Sequence, residues 1–312
     1  MSRAPAFRVW TALGLVYVVW GSTYLAIAYT VASFPPLVAG FLRFGAASVL
    51  LLGYLLVRRP GALRATARQW LGAMAIGVLL LLCGNGGVTV AERRGLPSGL
   101  AALLVAGVPL YVALLRALIH DRPPARTIAG VLIGFVGLGV LLLPGTRPAG
   151  VPFGAAGLVI AGSFCWSFAS VASTRVALPA DPLVTTLAEM IGGTLAFFVA
   201  ALVAGEPVPT SDVHPSAWLG LAYLVVFGSI IAFTAYSWLL GSAPLSTVAT
   251  YAYVNPVVAV LLGAAVHGEH LTATSVVGGL VTVVAVFVVV SQEGRGRVVE
   301  PALDDLPAEV TA

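Results

Sequence analysis

Apolar residues in this chain do not alternate with polar ones. They gather into long runs separated by short stretches of Pro, Gly and charge. Ten such runs lie near residues 10–29, 37–57, 70–90, 98–118, 127–143, 152–173, 183–204, 217–240, 245–266 and 273–291. A helix needs roughly 20 mostly apolar residues to cross a bilayer, so the pattern predicts an all-α polytopic membrane protein with ten transmembrane helices. The linkers are too short to hold an inserted soluble domain. Arg3 and Arg8 precede the first run as they would in a secretory signal, but the run continues to about Tyr29. That exceeds the 7–15 residues, roughly, of a signal core, and the segment is read as a retained span.

Composition agrees with that solvent. Of 312 residues, 59% are hydrophobic and 9% charged, with a mean hydropathy of +1.02; soluble domains carry about 25% charged residues. Cys83 and Cys165 both fall inside predicted spans, so they imply no disulfide framework.

Charge sets the orientation. All sixteen basic residues are Arg. With ten spans both termini share a side, which receives Arg3, Arg8, Arg58, Arg59, Arg64, Arg68, Arg116, Arg122, Arg126, Arg175, Arg295 and Arg297; the other side receives Arg93, Arg94 and Arg147. The positive-inside bias then places both termini in the cytoplasm. The net charge of +4 is a topology signal and gives no reason to expect nucleic acid as a partner. Residues 292–312 are low in hydrophobicity and rich in acid, which predicts a disordered cytoplasmic tail.

The chain also repeats itself. Trp20 aligns with Trp166, Pro36 with Pro182, Leu37 and Val38 with Leu183 and Val184, and Arg43 with Glu189, all at an offset of 146. Pro97 aligns with Pro244, Pro109 with Pro256 and His120 with His267 at 147. The organisation expected is a cytoplasmic N-terminus at 1–9, five-helix repeats at 10–145 and 150–291, and the tail at 292–312. Five spans per half is an odd number, so the second copy enters the membrane from the opposite side. Inverted repeats of this kind build many secondary transporters.

The segments "WGSTYLAIAYTVASFPPLVAGFLRFGAA" and "YAYVNPVVAVLLGAAVHGEHLT" resemble the two halves of an EamA-type transporter of the drug/metabolite transporter superfamily. The likeness runs over about residues 8–291 and is carried by Trp20-Gly21-Ser22, Arg43-Phe44, Tyr253-x-x-Pro256-Val257 and Gly268-Glu269. It implies a carrier, and similar proteins are credited with exporting amino acids, other metabolites or drugs. The first half has His120-Asp121-Arg122 where the family often has a Gly-Glu pair, so Glu269 alone can fill any role of that carboxylate.

Candidate site residues follow from what is costly at membrane depth. Pro109 and Pro256 sit midway along the fourth and ninth spans, where a missing N–H frees the carbonyl four residues back, Val105 or Ala252. They are candidate hinges, with Tyr111 beside the first and Tyr251, Tyr253 and Asn255 beside the second. Asn85, flanked by Gly84, Gly86 and Gly87, needs a partner for its amide, and these glycines allow close packing or local unwinding. Trp20 and Trp166 are candidates for cavity walls or interface anchors. Gly130, Gly134, Gly278, Gly279 and Ala285 mark the fifth and tenth spans as scaffold, compatible with packing against a second copy in a homodimer.

Arg43 lies seven residues into the second span and Glu189 seven residues into the seventh, each about 10 Å from opposite faces. Some 10 Å of the roughly 30 Å core then separates them, so an ion pair between them is not implied. Each is expected to face the bundle interior or a wet cavity. Glu189 is the candidate for a proton-linked step, with a purely structural hydrogen bond as the alternative. Arg43 would act electrostatically, snorkel to the near interface or be held by helix carbonyls.

Enzyme chemistry finds no support. The histidines at 120, 214, 267 and 270 fall in loops or at span ends, and no HExxH, GxSxG or phosphate-binding glycine loop occurs. His267-x-Glu269-His270 resembles a helix cap more than a metal site. The expectation is therefore a secondary transporter without cofactor or metal, set in lipid in the plasma (bacterial inner) membrane. It would move, and export, a small amphipathic metabolite, amino acid or drug by alternating access. The alternatives are a membrane-embedded enzyme or receptor-like component and, within transport, a phosphorylated-metabolite or nucleotide-sugar exchanger. One deep Arg and no Lys argue against the last.

Overall fold

The computed structural model describes residues 5–119, 153–209 and 213–267, with isolated helical positions at 129, 132, 133, 136, 276, 277, 280, 281 and 284. Those residues are helical or loop, with no strand among them. Apart from the isolated positions, the fifth and tenth predicted spans and their glycines lie outside the described residues, as do the 292–312 tail, His120-Asp121-Arg122 and Gly268-Glu269.

Seven described helices are long and apolar enough to cross a membrane: α1 (Ala6–Ser33), α2 (Pro36–Arg58), α3 (Ala67–Arg93), α4 (Ser98–Leu118), α5 (Phe153–Ser173), α6 (Pro182–Ala204) and α7 (Pro215–Ser242). An eighth, α8 (Tyr251–His267), follows a short helical turn at Leu245–Val248. The α2, α6 and α7 helices each begin with Pro, which fixes a helical φ where no N–H is needed. The Thr66 hydroxyl and Gln69 side chain close a capping box at the start of α3. Large apolar side chains such as Val49, Leu50, Val57, Leu195 and Leu219 remain exposed, as a surface solvated by lipid requires.

In lipid, helices associate through close packing because the tails are as apolar as leucine. Glycine makes that contact possible between α3 and α6: a Cβ on Gly77 would collide with the backbone of Glu189, and one on Gly192 with the backbone of Met74. The same holds between α3 and α5, where a Cβ on Gly162 would stand 2.9 Å from the carbonyls of both Cys83 and Gly84.

The α2 and α6 helices start and end at one offset of 146, from Pro36 to Pro182 and from Arg58 to Ala204. They run antiparallel. Glu206, just past the end of α6, accepts from the N–H groups of Leu37 and Val38 at the start of α2, while Arg59, just past the end of α2, pairs with Asp181 at the start of α6 at 3.1 Å. This corresponding pair of helices thus points in opposite directions.

A second correspondence was not visible in the letters. At Val78–Asn85 in α3 and Leu224–Ile231 in α7 the helix widens, so that Gly86 N–H reaches the carbonyl of Leu81 and Ala232 N–H that of Phe227. Both bonds span five residues, and every one of these positions is related by the same offset of 146. Such widened turns concentrate at functional sites.

Pro109 behaves differently from expectation. The α4 helix breaks at Ala106–Gly107, before Pro109, which then occupies the second position of the segment Val108–Leu118. There its missing N–H costs nothing, so Pro109 restarts the helix and does not kink its middle. The second half is also interrupted, at Ala249–Thr250 ahead of α8, four residues earlier than the offset of 147 would place the break, with Pro256 inside the following helix.

Candidate functional site

The two interruptions and the two widened turns surround one cavity, lined mostly by apolar and aromatic side chains with a few polar groups, as small-molecule sites are. Its walls come from α1, α2, α3, α4, α5, α7 and α8. Six of the nine side chains singled out from the sequence line it: Trp20, Arg43, Asn85, Trp166, Tyr251 and Asn255.

Aromatic rings close one end. Trp20 meets Trp166 edge-on at 5.4 Å between centroids, Tyr251 edge-on at 5.1 Å and Tyr236 at 4.9 Å. Offset and edge-to-face pairs of this kind add about 0.5–1.5 kcal/mol each beyond area burial. Their polar atoms are spoken for: Trp20 Nε1 donates to the Gly228 carbonyl in the widened turn of α7 at 3.1 Å, and Trp166 Nε1 donates to Tyr236 Oη at 3.1 Å, which also shares a 2.7 Å hydrogen bond with Ser170. The floor is rigid because ring packing and hydrogen bonding agree.

Arg43 stands in the side wall, 5% exposed. Its Nε donates to Ser229 Oγ at 2.8 Å and its NH1 to Asn85 Oδ1 at 3.3 Å, while the guanidinium carbon lies 4.7 Å from the centre of the Phe44 ring. Asn85 closes the widened turn of α3 and Ser229 sits within that of α7, so one cation joins the two bulged helices. Among the described residues the one ion pair within 4 Å is Arg59–Asp181; no carboxylate reaches Arg43.

The remaining predicted residues lie elsewhere. Glu189 is buried behind the cavity wall, where its Oε2 accepts from Ser237 at 3.0 Å. A second buried carboxylate, Glu92, sits in the last turn of α3, 8% exposed. Tyr111 is buried against Phe164, 5.9 Å between ring centres, away from the cavity. Tyr253 lies in α8, and its side chain is outside the described atoms. Pro109 and Pro256 border the site through the backbone and do not line it. Asn255 lines the cavity with its amide engaged: oriented by its neighbours, the nitrogen donates to the carbonyls of Tyr251 at 3.0 Å and Tyr17 at 3.1 Å.

Sequence reasoning missed Thr23, Tyr24, Ser163 and Phe233, which also line the cavity. Thr23 and Tyr24 had a signal available, since they follow the matched Trp20 by one helical turn on the same face.

An all-helical multi-pass membrane protein with a cavity set among seven of its helices is the class that the fold and site define. The chain belongs to the EamA-like transporter family, whose model matches residues 9–143 and again 154–291; it is therefore a membrane transporter. The "Uncharacterized inner membrane transporter YedA" of Escherichia coli K12 is 41% identical over 261 residues, covering 84% of this chain and 83% of that one. The "Uncharacterized transporter YyaM" of Bacillus subtilis is 23% identical over 272 residues, covering 86% and 88%. A solved crystal structure, 21% identical, superposes with a TM-score of 0.67 over 94% of this chain and all of its own, and speaks to the fold alone.

Proposed function

We propose that this transporter carries a small amphipathic metabolite, amino acid or drug outward across the plasma membrane by alternating access of two inverted five-helix halves. The observation that supports this most is the placement of the cavity between a helix interruption from each half and widened turns that recur at matching places in both halves. Broken helices at corresponding positions are where secondary transporters bind their solutes. Trp20, Arg43, Asn85, Trp166 and Tyr251 are the binding residues in this reading, and Asn255 holds α8 to α1. The breaks ahead of Pro109 and Pro256 supply the hinges, and Glu189 supplies a proton site. Both termini are cytoplasmic, and ten helices form the bundle.

The single guanidinium among the described wall residues favours this reading over a phosphorylated-metabolite or nucleotide-sugar exchanger, whose substrate carries several charges to be matched. Counterflow of labelled amino acids, organic acids and drugs into proteoliposomes tests it. Uptake of at least one solute, saturable and lost in Trp20→Ala protein that still incorporates, is expected. Absence of counterflow for every member of the panel would overturn it.

A further inference from the structure

Arg43 poses a problem that the transport reading leaves open. A guanidinium has five N–H donors and stays protonated, and a buried charge is tolerated when it is paired. Arg43 is 95% buried by its 5% exposure, yet its hydrogen bonds to Ser229 and Asn85 use two of those donors, and both acceptors are neutral. Among the described residues no carboxylate lies within 4 Å of it. The two bonds are unequal: Nε to Ser229 is short at 2.8 Å, whereas NH1 to Asn85 is long at 3.3 Å. Ser229 therefore fixes the group by its inner nitrogen, and the NH1 and NH2 end lies in the cavity wall. A Cβ at position 228 would come 3.0 Å from NH2, so Gly228 leaves that end its space.

Resting on the transport reading, we infer that the missing counter-charge is the solute, and that the site selects amphipathic monoanions. A carboxylate replaces Asn85 at NH1 and takes NH2 as well, while the apolar body of the solute lies against Trp20, Tyr24 and Tyr251. One guanidinium matches one negative charge. Among the described lining residues an ammonium group meets no carboxylate, only ring faces and neutral oxygens. Carboxylic acids lacking an amine should accordingly bind at least as tightly as the amino acids of the same side chain. Displacing Asn85 also unties α3 from Arg43 while Ser229 keeps α7, which lets the arrival of the anion loosen one bulged helix from the other.

The test uses three ligands with one ring and one linker: phenylacetate, phenylacetamide and phenethylammonium. Binding to the purified chain is followed by tryptophan fluorescence and by the rise in unfolding temperature. A hydrogen-bonded charge pair is worth about 1.5–3 kcal/mol, so phenylacetate should bind roughly 10- to 100-fold more tightly than either analogue. Arg43→Gln should erase the difference, and Arg43→Lys should keep the preference at reduced affinity because the bidentate edge is lost. Taking the ratio of ligands within each variant separates recognition from any loss of folded protein. Equal binding of the three, preference for the ammonium or the amide, or no binding of any at millimolar concentration would overturn the inference. Counterflow of the amide or ammonium without the acid would overturn it too, while leaving the transport reading intact.

Discussion

The start of α2 is capped by a residue 169 positions away, and removing that cap has a calculable cost. Pro35 offers no side-chain acceptor and Pro36 has no N–H, so the first free donors of the helix are those of Leu37 and Val38. Both go to one carboxylate oxygen of Glu206, at 2.8 and 3.0 Å. Loss of an N-terminal cap costs about 0.5–2 kcal/mol, and loss of a negative charge at the positive end of the helix dipole costs about 0.3–1 kcal/mol more. Glu206→Ala should therefore destabilise the protein by about 1–3 kcal/mol. Glu206→Gln keeps an oxygen acceptor and drops only the charge, for under about 1 kcal/mol. Unfolding in mixed micelles by added dodecyl sulfate, followed by helical ellipticity, measures both. Wild-type stability in Glu206→Ala, or equal losses in the two variants, would refute the charged cap.

Single cysteines at positions 64 and 212, on a background lacking Cys83 and Cys165, should react with impermeant reagent from opposite sides of intact cells; reaction of both from outside would remove the ten-span orientation. Tyr251→Ala should lower transport with near-normal accumulation, because the ring is cavity wall, whereas Asn255→Ala should also lower accumulation, because its amide ties α8 to the Tyr17 carbonyl. Equal accumulation of the two would contradict that division. Glu189→Gln should abolish the dependence of transport on an imposed pH gradient while sparing solute exchange; full gradient-driven transport by this variant would make Glu189 a structural residue.

Span positions were legible because Pro and Gly punctuate the apolar runs. The run near 183–204 is the helix Pro182–Ala204, and 98–118 is Ser98–Leu118. Trp20, Trp166, Arg43 and Asn85 stood out because a polar or bulky group at depth needs a reason, and the cavity brings all four together. The widened turns left no such mark. Their sequences, VLLLLCGN and LVVFGSII, share no pattern, and the bonding change lies in the backbone. The break in α4 was placed at Pro109 because proline is the visible helix breaker, yet the chain turns at Ala106–Gly107 and uses the proline to start again. Glu206 gave no signal in the sequence because its partners, Leu37 and Val38, come from the other half of the chain.

Alternating access through this cavity is tested most directly at Thr23. Its side chain lines the cavity and its hydroxyl bonds only to the carbonyl of its own helix, Trp20, at 2.7 Å, so cysteine fits in its place. In a Thr23→Cys protein free of other cysteines, impermeant thiol reagent should label the site from either side of oriented vesicles, and added transported solute should slow both reactions. Labelling confined to one side under every solute and gradient condition would contradict alternating access.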